Sequence, residues 1–194
     1  MTDKMKYLKK ATCFFAVLFL YINTIIAQEN GKKLQSFHHG DIFSFGTSYN
    51  YELALASSFT ITPGVSLISG PYFYYFSQHQ NSKFGSSRHM SISFDSRWYT
   101  NVDRRARKGK NLENNSANFV SLLLEYIPEY NLLKPEMQYA TYAITPRWGF
   151  RRSFNQFFFM EFAIGLPYMA DNVEPDPYVG LHLGLKAGFA FNRK

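Results

Sequence analysis

Charged side chains recur at alternating positions in segments of this sequence that otherwise consist of apolar and small residues. Four acids and four bases follow this pattern: Glu52, Asp95, Glu125 and Glu161, with Arg97, Arg147, Arg151 and Lys186. Because an unpaired charge in a closed interior costs several kcal/mol, this balance suits a network of buried ion pairs. If the same side chains lined a narrow water path, they would set its ion preference instead. We favour a largely filled interior, and a narrow pore for ions or small solutes is the alternative.

A second group of charges forms a basic run within residues 102–116. It comprises five cations: Arg104, Arg105, Arg107, Lys108 and Lys110. Such a cluster can bind lipid phosphates, an acidic partner or anions associated with peptidoglycan. We favour a solvated turn that keeps itself out of a bilayer. Aromatic residues do not alternate with these cations, so we expect no nucleic-acid partner.

Histidine side chains are candidates for metal binding or general-base chemistry. The sequence contains five of them: His38, His39, His79, His89 and His182. None has convincing ligand spacing within one element, so we predict no metal site and no cofactor. We expect loop or rim positions for all except His182, which should point into the interior. A rim pair of His89 with Ser86 or Ser87 would be needed for a lipid-modifying enzyme, the least favoured function, and we expect no enzymatic activity.

The elements that position these residues are predicted from a period of two in hydrophobicity. In residues 180–191, leucine and phenylalanine alternate with polar and small residues, which is typical of a strand with two different faces. Seven segments show this period: 42–55, 59–76, 90–99, 118–127, 141–151, 157–168 and 180–191. A closed single-chain barrel has an even number of strands, so an eighth is expected within residues 28–41. Helical periodicity is absent outside the N-terminal leader.

Connections between the predicted strands are of two kinds. Short turns are expected at 56–58 and 153–156, and longer polar loops at 77–88, 130–138 and 170–178. In outer-membrane barrels short turns are periplasmic and longer loops face outward, which places the basic run on the periplasmic side as an exception. Three prolines interrupt the strands and are expected at bulges near the rims: Pro63, Pro146 and Pro167.

The N-terminus has the features of a secretory signal peptide. Four lysines precede an apolar run from Ala11 to Ile22, and Ala27 is a small residue suited to cleavage before Gln28. The apolar run is shorter than the ~20 residues of a spanning helix. Removing the leader removes four lysines and one aspartate, which lowers the formal net charge from +7 to +4. It also removes the only cysteine, which excludes thiol chemistry and disulfides from the mature chain.

The mature chain, residues 28–194, is predicted to be one domain in which the polar face of the strands lies inside. That face is rich in small residues, as a crowded interior requires: Ala143, Gly149, Ala163, Gly165, Gly184, Gly188 and Ala190. The opposite face combines Leu, Ile and Phe with Trp98, Trp148, Tyr126, Tyr142 and Tyr168, as expected of a lipid-facing band with aromatic girdles. We therefore predict an all-β fold, a transmembrane antiparallel up-and-down β-barrel of eight strands, in preference to a soluble lipocalin-like barrel.

Residues 90–125 resemble a family of small, mostly uncharacterised outer-membrane β-barrel proteins of Bacteroidetes-type bacteria. The resemblance rests on four short motifs: Arg97-Trp98-Tyr99-Thr100-Asn101, Asp103-Arg104-Arg105, Lys108-Gly109-Lys110 and Asn114-Asn115-Ser116-Ala117-Asn118-Phe119. It implies a location and a fold, and it carries no catalytic residues. The expected partners are the outer-membrane bilayer, the barrel-assembly machinery and an unidentified extracellular or periplasmic partner. A structural or binding role through the outer loops is the favoured function.

Overall fold

The computed structural model describes residues 34–43, 46–71, 86–128, 140–171 and 177–191, in which the alternating segments form antiparallel strands. These strands are β1 (Phe37–Phe43), β2 (Gly46–Ala54), β3 (Phe59–Pro71), β4 (Ser86–Tyr99), β5 (Asn118–Ile127), β6 (Thr141–Ser153), β7 (Phe158–Gly165), β8 (Tyr168–Asp171), β9 (Tyr178–Val179) and β10 (His182–Phe191). Helix α1 spans Val102–Arg107, and a 3-10 turn spans Glu113–Asn115. No helix among the described residues is long and apolar enough to cross a membrane.

The sheet closes into a barrel of eight strand positions. Each strand pairs antiparallel with its neighbours, β1 pairs with β10, and β5 pairs with β6. Strands β7 and β8 pair with β6 in one register, so they act as a single strand interrupted at Leu166 and Pro167. Strands β9 and β10 continue each other in the same way beside them. The predicted eight-stranded antiparallel barrel is therefore confirmed.

The predicted position of the first strand needs correction. The additional strand expected within residues 28–41 is β1, which begins at Phe37 and extends to Phe43. The single strand expected over 42–55 is therefore divided between the end of β1 and β2. The registers of β1 against β2 and β10 bring His39 opposite Asn50 and Ala190. Polar residues on the inner face of β1 hid its alternation from a search for apolar periodicity.

Connections alternate between two ends of the barrel. Helix α1 lies at the end that also holds the short turns between β2 and β3 and between β6 and β7, and we call it the α1 end. The connections between β3 and β4, β5 and β6, and β8 and β9 join strands at the opposite end, and most of their residues lie outside the described part of the chain. They overlap the loops predicted at 77–88, 130–138 and 170–178, but β4 begins at Ser86, β8 ends at Asp171 and β9 begins at Tyr178. Helix α1 left no helical period in the sequence, because a helix of six residues is too short to show one.

The three strand prolines occupy gaps in the hydrogen-bonded ladders. The pairing of β2 with β3 lapses beside Pro63 and resumes in the same register, and the pairing along β6 lapses opposite Pro167. Across that second gap, the Leu166 amide donates to the Pro146 carbonyl at 3.3 Å. The expected bulges are absent at these positions, because a missing N–H can be tolerated by omitting a ladder bond without adding a residue.

The interior is as crowded as its small residues predict. A Cβ atom at Gly188 would overlap the Phe159 ring, and one at Gly149 would overlap the Phe119 ring. Both rings are fully buried. Glycine at these positions lets aromatic side chains lie flat against the barrel wall, which fills the space between the charged groups.

The exterior of the barrel carries large apolar side chains on every strand position. The exposed residues include Ile42, Tyr49, Val65, Leu67, Met90, Ile92, Phe94, Trp98, Val120, Leu122, Leu124, Tyr142, Ile144, Trp148, Met160, Ile164, Leu183, Leu185, Phe189 and Phe191. Trp98 and Trp148 both pair with Val120, so aromatic and aliphatic side chains lie side by side across three strands. The barrel is thus apolar outside and charged inside.

Candidate functional site

The centre of the interior is a carboxylate held by two arginines from different strands. Glu161 on β7 accepts two hydrogen bonds from Arg97 on β4, at 2.6 and 3.0 Å. It also accepts two from Arg151 on β6, at 2.7 and 3.0 Å. All three side chains are buried. Side chains of β4, β6 and β7 point alternately outward and inward, and these three are among the inward ones. Their hydrogen bonds cross the lumen between strands.

Two further carboxylates extend this chain of ion pairs. Asp95 accepts from Arg97 and from Arg147, both at 2.5 Å. Glu52 on β2 accepts from Arg151 at 2.6 Å. The result is one continuous network: Arg147, Asp95, Arg97, Glu161, Arg151 and Glu52. Sequence analysis placed all six residues on the inward face, and the structure joins them directly.

Aromatic rings cover the guanidinium groups of this network. The Arg97 guanidinium lies 4.7 Å from the centre of the Phe119 ring, and that of Arg151 lies 4.4 Å from the Phe159 ring. Such cation–π contacts are stronger where water is excluded. They supply the faces of the arginines with favourable contacts while the carboxylates bind the edges.

At the α1 end, the network is closed by Tyr99, the last residue of β4, and by two asparagines in the segment after α1. Sequence analysis did not predict this role. Asn115 donates a hydrogen bond to Glu52 at 2.7 Å, and Tyr99 donates another at 2.7 Å. Arg151 also donates to the backbone carbonyl of Asn114 at 3.1 Å. Both asparagines are fully buried with φ of 51° and 56°, a left-handed conformation that asparagine tolerates better than most residues. The Asn-Asn pair looks like an ordinary loop in the sequence, although two asparagines at a chain reversal are a signal for this conformation.

A smaller polar cluster surrounds Asp41 on β1. Its carboxylate contacts Nδ1 of His39 at 2.7 Å, accepts from Asn50 at 3.1 Å, and lies 3.8 Å from the ammonium of Lys186. Lys186 thus has its ion pair here, apart from the arginine network. The rim or loop position expected for His39 is wrong, because β1 turns it inward and buries it. The adjacent His38 faces outward and bonds the Tyr49 hydroxyl, so the alternation of β1 separates the two histidines.

A cavity of about 250 Å³ occupies the lumen beyond the arginine network, away from the α1 end. Glu125 and His182 line it, as do Asp95, Arg147 and Lys186. Glu125 faces the lumen, as predicted. It makes no ion pair with any residue that the structure describes, so it is separate from the arginine network. His182 is interior as expected, and its Nε2 atom has no hydrogen-bond partner among the described residues.

The basic run forms α1 and the turn after it, where a turn alone was expected. Its exposed members are Arg104, Arg107, Lys108 and Lys110. Arg105 is partly buried and donates to the Asn111 carbonyl at 2.8 Å and to the Ser116 hydroxyl at 3.3 Å. Partial burial lowers the pKa of the Arg105 guanidinium from its ordinary value, and the group stays protonated at neutral pH. Arg105 therefore braces the segment that carries the two buried asparagines.

Other predicted features lie partly outside the described residues. His79 lies outside the described residues, as do the side chains of Ser86, Ser87 and His89, so the pairing of His89 with Ser86 or Ser87 stays a prediction. Within the described ranges no group of three or more His, Cys, Asp or Glu side chains could hold a metal ion.

Comparison with protein-family models, curated proteins and solved structures finds no match for this chain. The resemblance of residues 90–125 to Bacteroidetes-type outer-membrane barrels therefore stays a prediction. The fold and the interior network rest on the geometry described above.

Proposed function

We propose that this chain is a small outer-membrane β-barrel protein without enzymatic activity. Residues 1–27 would direct export as a signal peptide, and residues 28–194 would be inserted by the barrel-assembly machinery. Its role would be structural or binding, through the outer loops that connect β3 with β4, β5 with β6, and β8 with β9. The basic residues of α1 would then lie on the periplasmic side.

The observation that carries this proposal is the distribution of side chains across the barrel wall. Large apolar side chains are exposed on all eight strand positions, while arginines and carboxylates are buried inside. Soluble monomers rarely expose contiguous apolar patches beyond a few hundred Å². An apolar outer band around a polar interior is the arrangement of membrane barrels, and Trp98 and Trp148 suit an aromatic girdle at one interface.

The ion-pair network favours a barrel whose lumen is blocked over a barrel that conducts ions. Arg97, Glu161 and Arg151 link three strands across the lumen, and Asn115 with Tyr99 caps Glu52 at the α1 end. An ion crossing this layer would have to displace bonds between fully buried charges. A lumen blocked by this layer leaves recognition to the part of the barrel beyond the network and to the loops at the opposite end.

Location is tested by expressing the full chain with its own leader in a Gram-negative host. We expect the protein in the outer-membrane fraction, a new N-terminus at Gln28, and a folded form that migrates faster on a gel until it is heated. Recovery in the soluble fraction, or retention of residues 1–27 in the folded protein, would contradict the proposal.

Planar-bilayer conductance tests whether the lumen is blocked. The protein is used only after the heat-dependent change in gel migration has shown that it is folded. We expect no discrete conductance steps. Steps that persist in the folded protein would favour the narrow pore, and charge substitutions at Arg147 and Glu125 should then alter its ion selectivity.

A further inference from the structure

We propose that the lumenal cavity is a binding site for a small organic ammonium compound that carries hydroxyl groups. The cavity of about 250 Å³ lies between the arginine network and the end of the barrel opposite α1. It is slightly smaller than the ~300–1,000 Å³ sites that hold drug-sized ligands, which limits the ligand to a smaller molecule. This inference concerns the inside of the barrel and does not depend on the membrane location.

One inward-facing carboxylate has no ion pair with any residue that the structure describes. The described inward-facing Arg and Lys side chains are Arg97, Arg147, Arg151 and Lys186, and the described inward-facing carboxylates are Asp41, Glu52, Asp95, Glu125 and Glu161. Four of these carboxylates have an ion pair, whereas Glu125 has none with a described residue. A carboxylate of this kind, half-buried in a cavity, gains most from a ligand with a single positive charge.

The hydrogen-bonding capacity of the lining calls for a ligand that carries hydroxyl groups. Oδ1 of Asp95 has no partner among the described residues and can only accept. Because a carboxylate only accepts, Nδ1–H of His39 donates to Asp41, and Nε2 of His39 is left without a partner among the described residues. The hydroxyl of Thr62 also lacks a partner, and it lines the same cavity.

Together these features select the ligand class. An ammonium group would pair with Glu125, and ligand hydroxyls would donate to Asp95 Oδ1 and exchange bonds with Thr62 and His39. Anionic ligands are disfavoured, since the unpaired Glu125 carboxylate would repel them. A bare monovalent cation pairs with Glu125 but leaves the other polar atoms of the lining without partners.

The test uses glucosamine as the probe, with glucose as the matched neutral compound and potassium chloride as the bare cation. Binding to purified, folded protein is measured by saturation-transfer NMR and titration, at a pH where the amine is protonated. Because a hydrogen bond to a charged group is worth more than a neutral one, we expect glucosamine to bind about tenfold more tightly than glucose. Potassium chloride should not compete.

Two variants locate the site. Glu125→Gln should weaken glucosamine binding about tenfold and bring it to the level of glucose. Glu113→Gln, which removes the same charge at the α1 end outside the cavity, should leave binding unchanged. Thr62→Val should weaken both sugars without unfolding the barrel, since it removes a hydroxyl that has no partner.

Three results would overturn the proposal. They are the absence of glucosamine binding to the folded wild-type protein, equal binding of glucosamine and glucose, and full competition by potassium chloride, which would indicate a bare-cation site. Because each measurement needs only a folded barrel, any of these results is distinguishable from a failure of the proposed outer-membrane location.

Discussion

Replacing Glu161 by glutamine is the sharpest test of the interior network. The carboxylate accepts four hydrogen bonds, two from Arg97 and two from Arg151. Glutamine keeps the shape but removes the charge and turns an NH2 group toward guanidinium donors. Removing one partner of a buried ion pair costs about 3–5 kcal/mol. Since Arg97 keeps Asp95 and Arg151 keeps Glu52, we expect a loss near the lower limit, about 3 kcal/mol.

The assay is reversible unfolding in urea, followed by tryptophan fluorescence and by the heat-dependent change in gel migration. Glu161→Leu should lose more than the glutamine variant, about 5 kcal/mol, because it also removes the remaining acceptor. Glu125→Gln is the matched control, and it should change the free energy of unfolding by less than about 1 kcal/mol because it breaks no ion pair. A free energy of unfolding within about 1 kcal/mol of wild type for Glu161→Gln would refute the assignment of this carboxylate to the network.

A double variant distinguishes the removal of both charges of an ion pair from the removal of only one of them. Arg97→Met combined with Glu161→Leu should be less destabilised than Glu161→Leu alone, because an apolar replacement leaves no buried charge facing an apolar side chain. The combined variant still frees part of Asp95 and Arg151, so it should not reach wild-type stability. Additive effects of the two substitutions would mean that the side chains do not interact.

Three further predictions concern packing, the chain reversal and the exterior. Gly188→Ala should destabilise the fold by about 1–3 kcal/mol in urea unfolding, since its Cβ would overlap the Phe159 ring. Gly40→Ala is its control and should be near neutral, because the nearest atom to an added Cβ is 3.8 Å away. Asn115→Ala should cost about 2–4 kcal/mol, combining the loss of a hydrogen bond to the buried Glu52 carboxylate with a left-handed alanine, whereas Asn115→Gly should recover the backbone part. Leu122→Arg should cost about 2–4 kcal/mol in lipid vesicles and little in a soluble barrel, so equal stability to Leu122→Ala would argue against a lipid-facing exterior.

Much of the barrel is predictable from sequence because each strand has one small or polar face and one apolar face. Strand β5 begins and ends where the alternation does, at Asn118 and Ile127. Strand β1 was the least visible, since its inner face carries His39 and Asp41 and its outer face carries His38. Its position depends on pairing with both β2 and β10, which local periodicity does not encode.

The candidate site was predictable in its residue types and inward orientation, and not in its partners. Alternation identifies Arg97 and Glu161 as inward-facing, but their contact joins strands that are not neighbours in the sheet. Asn115 was missed for a related reason, since only the closed barrel brings the segment after α1 against Glu52. Contacts across a lumen depend on barrel closure and strand register together.

The network also explains how a barrel with an apolar exterior can specify its register. If the exterior faces lipid, as we propose, apolar side chains there gain little from contact with one neighbour over another, because lipid tails are equally apolar. A slip of one residue in β4 or β7 would turn Arg97 or Glu161 outward. An arginine at the lipid face costs about 2–4 kcal/mol, and the slip would also leave the opposite charges unpaired inside. Buried ion pairs that link non-adjacent strands therefore penalise each one-residue slip, both by exposing a charge to the exterior and by unpairing the charges left inside.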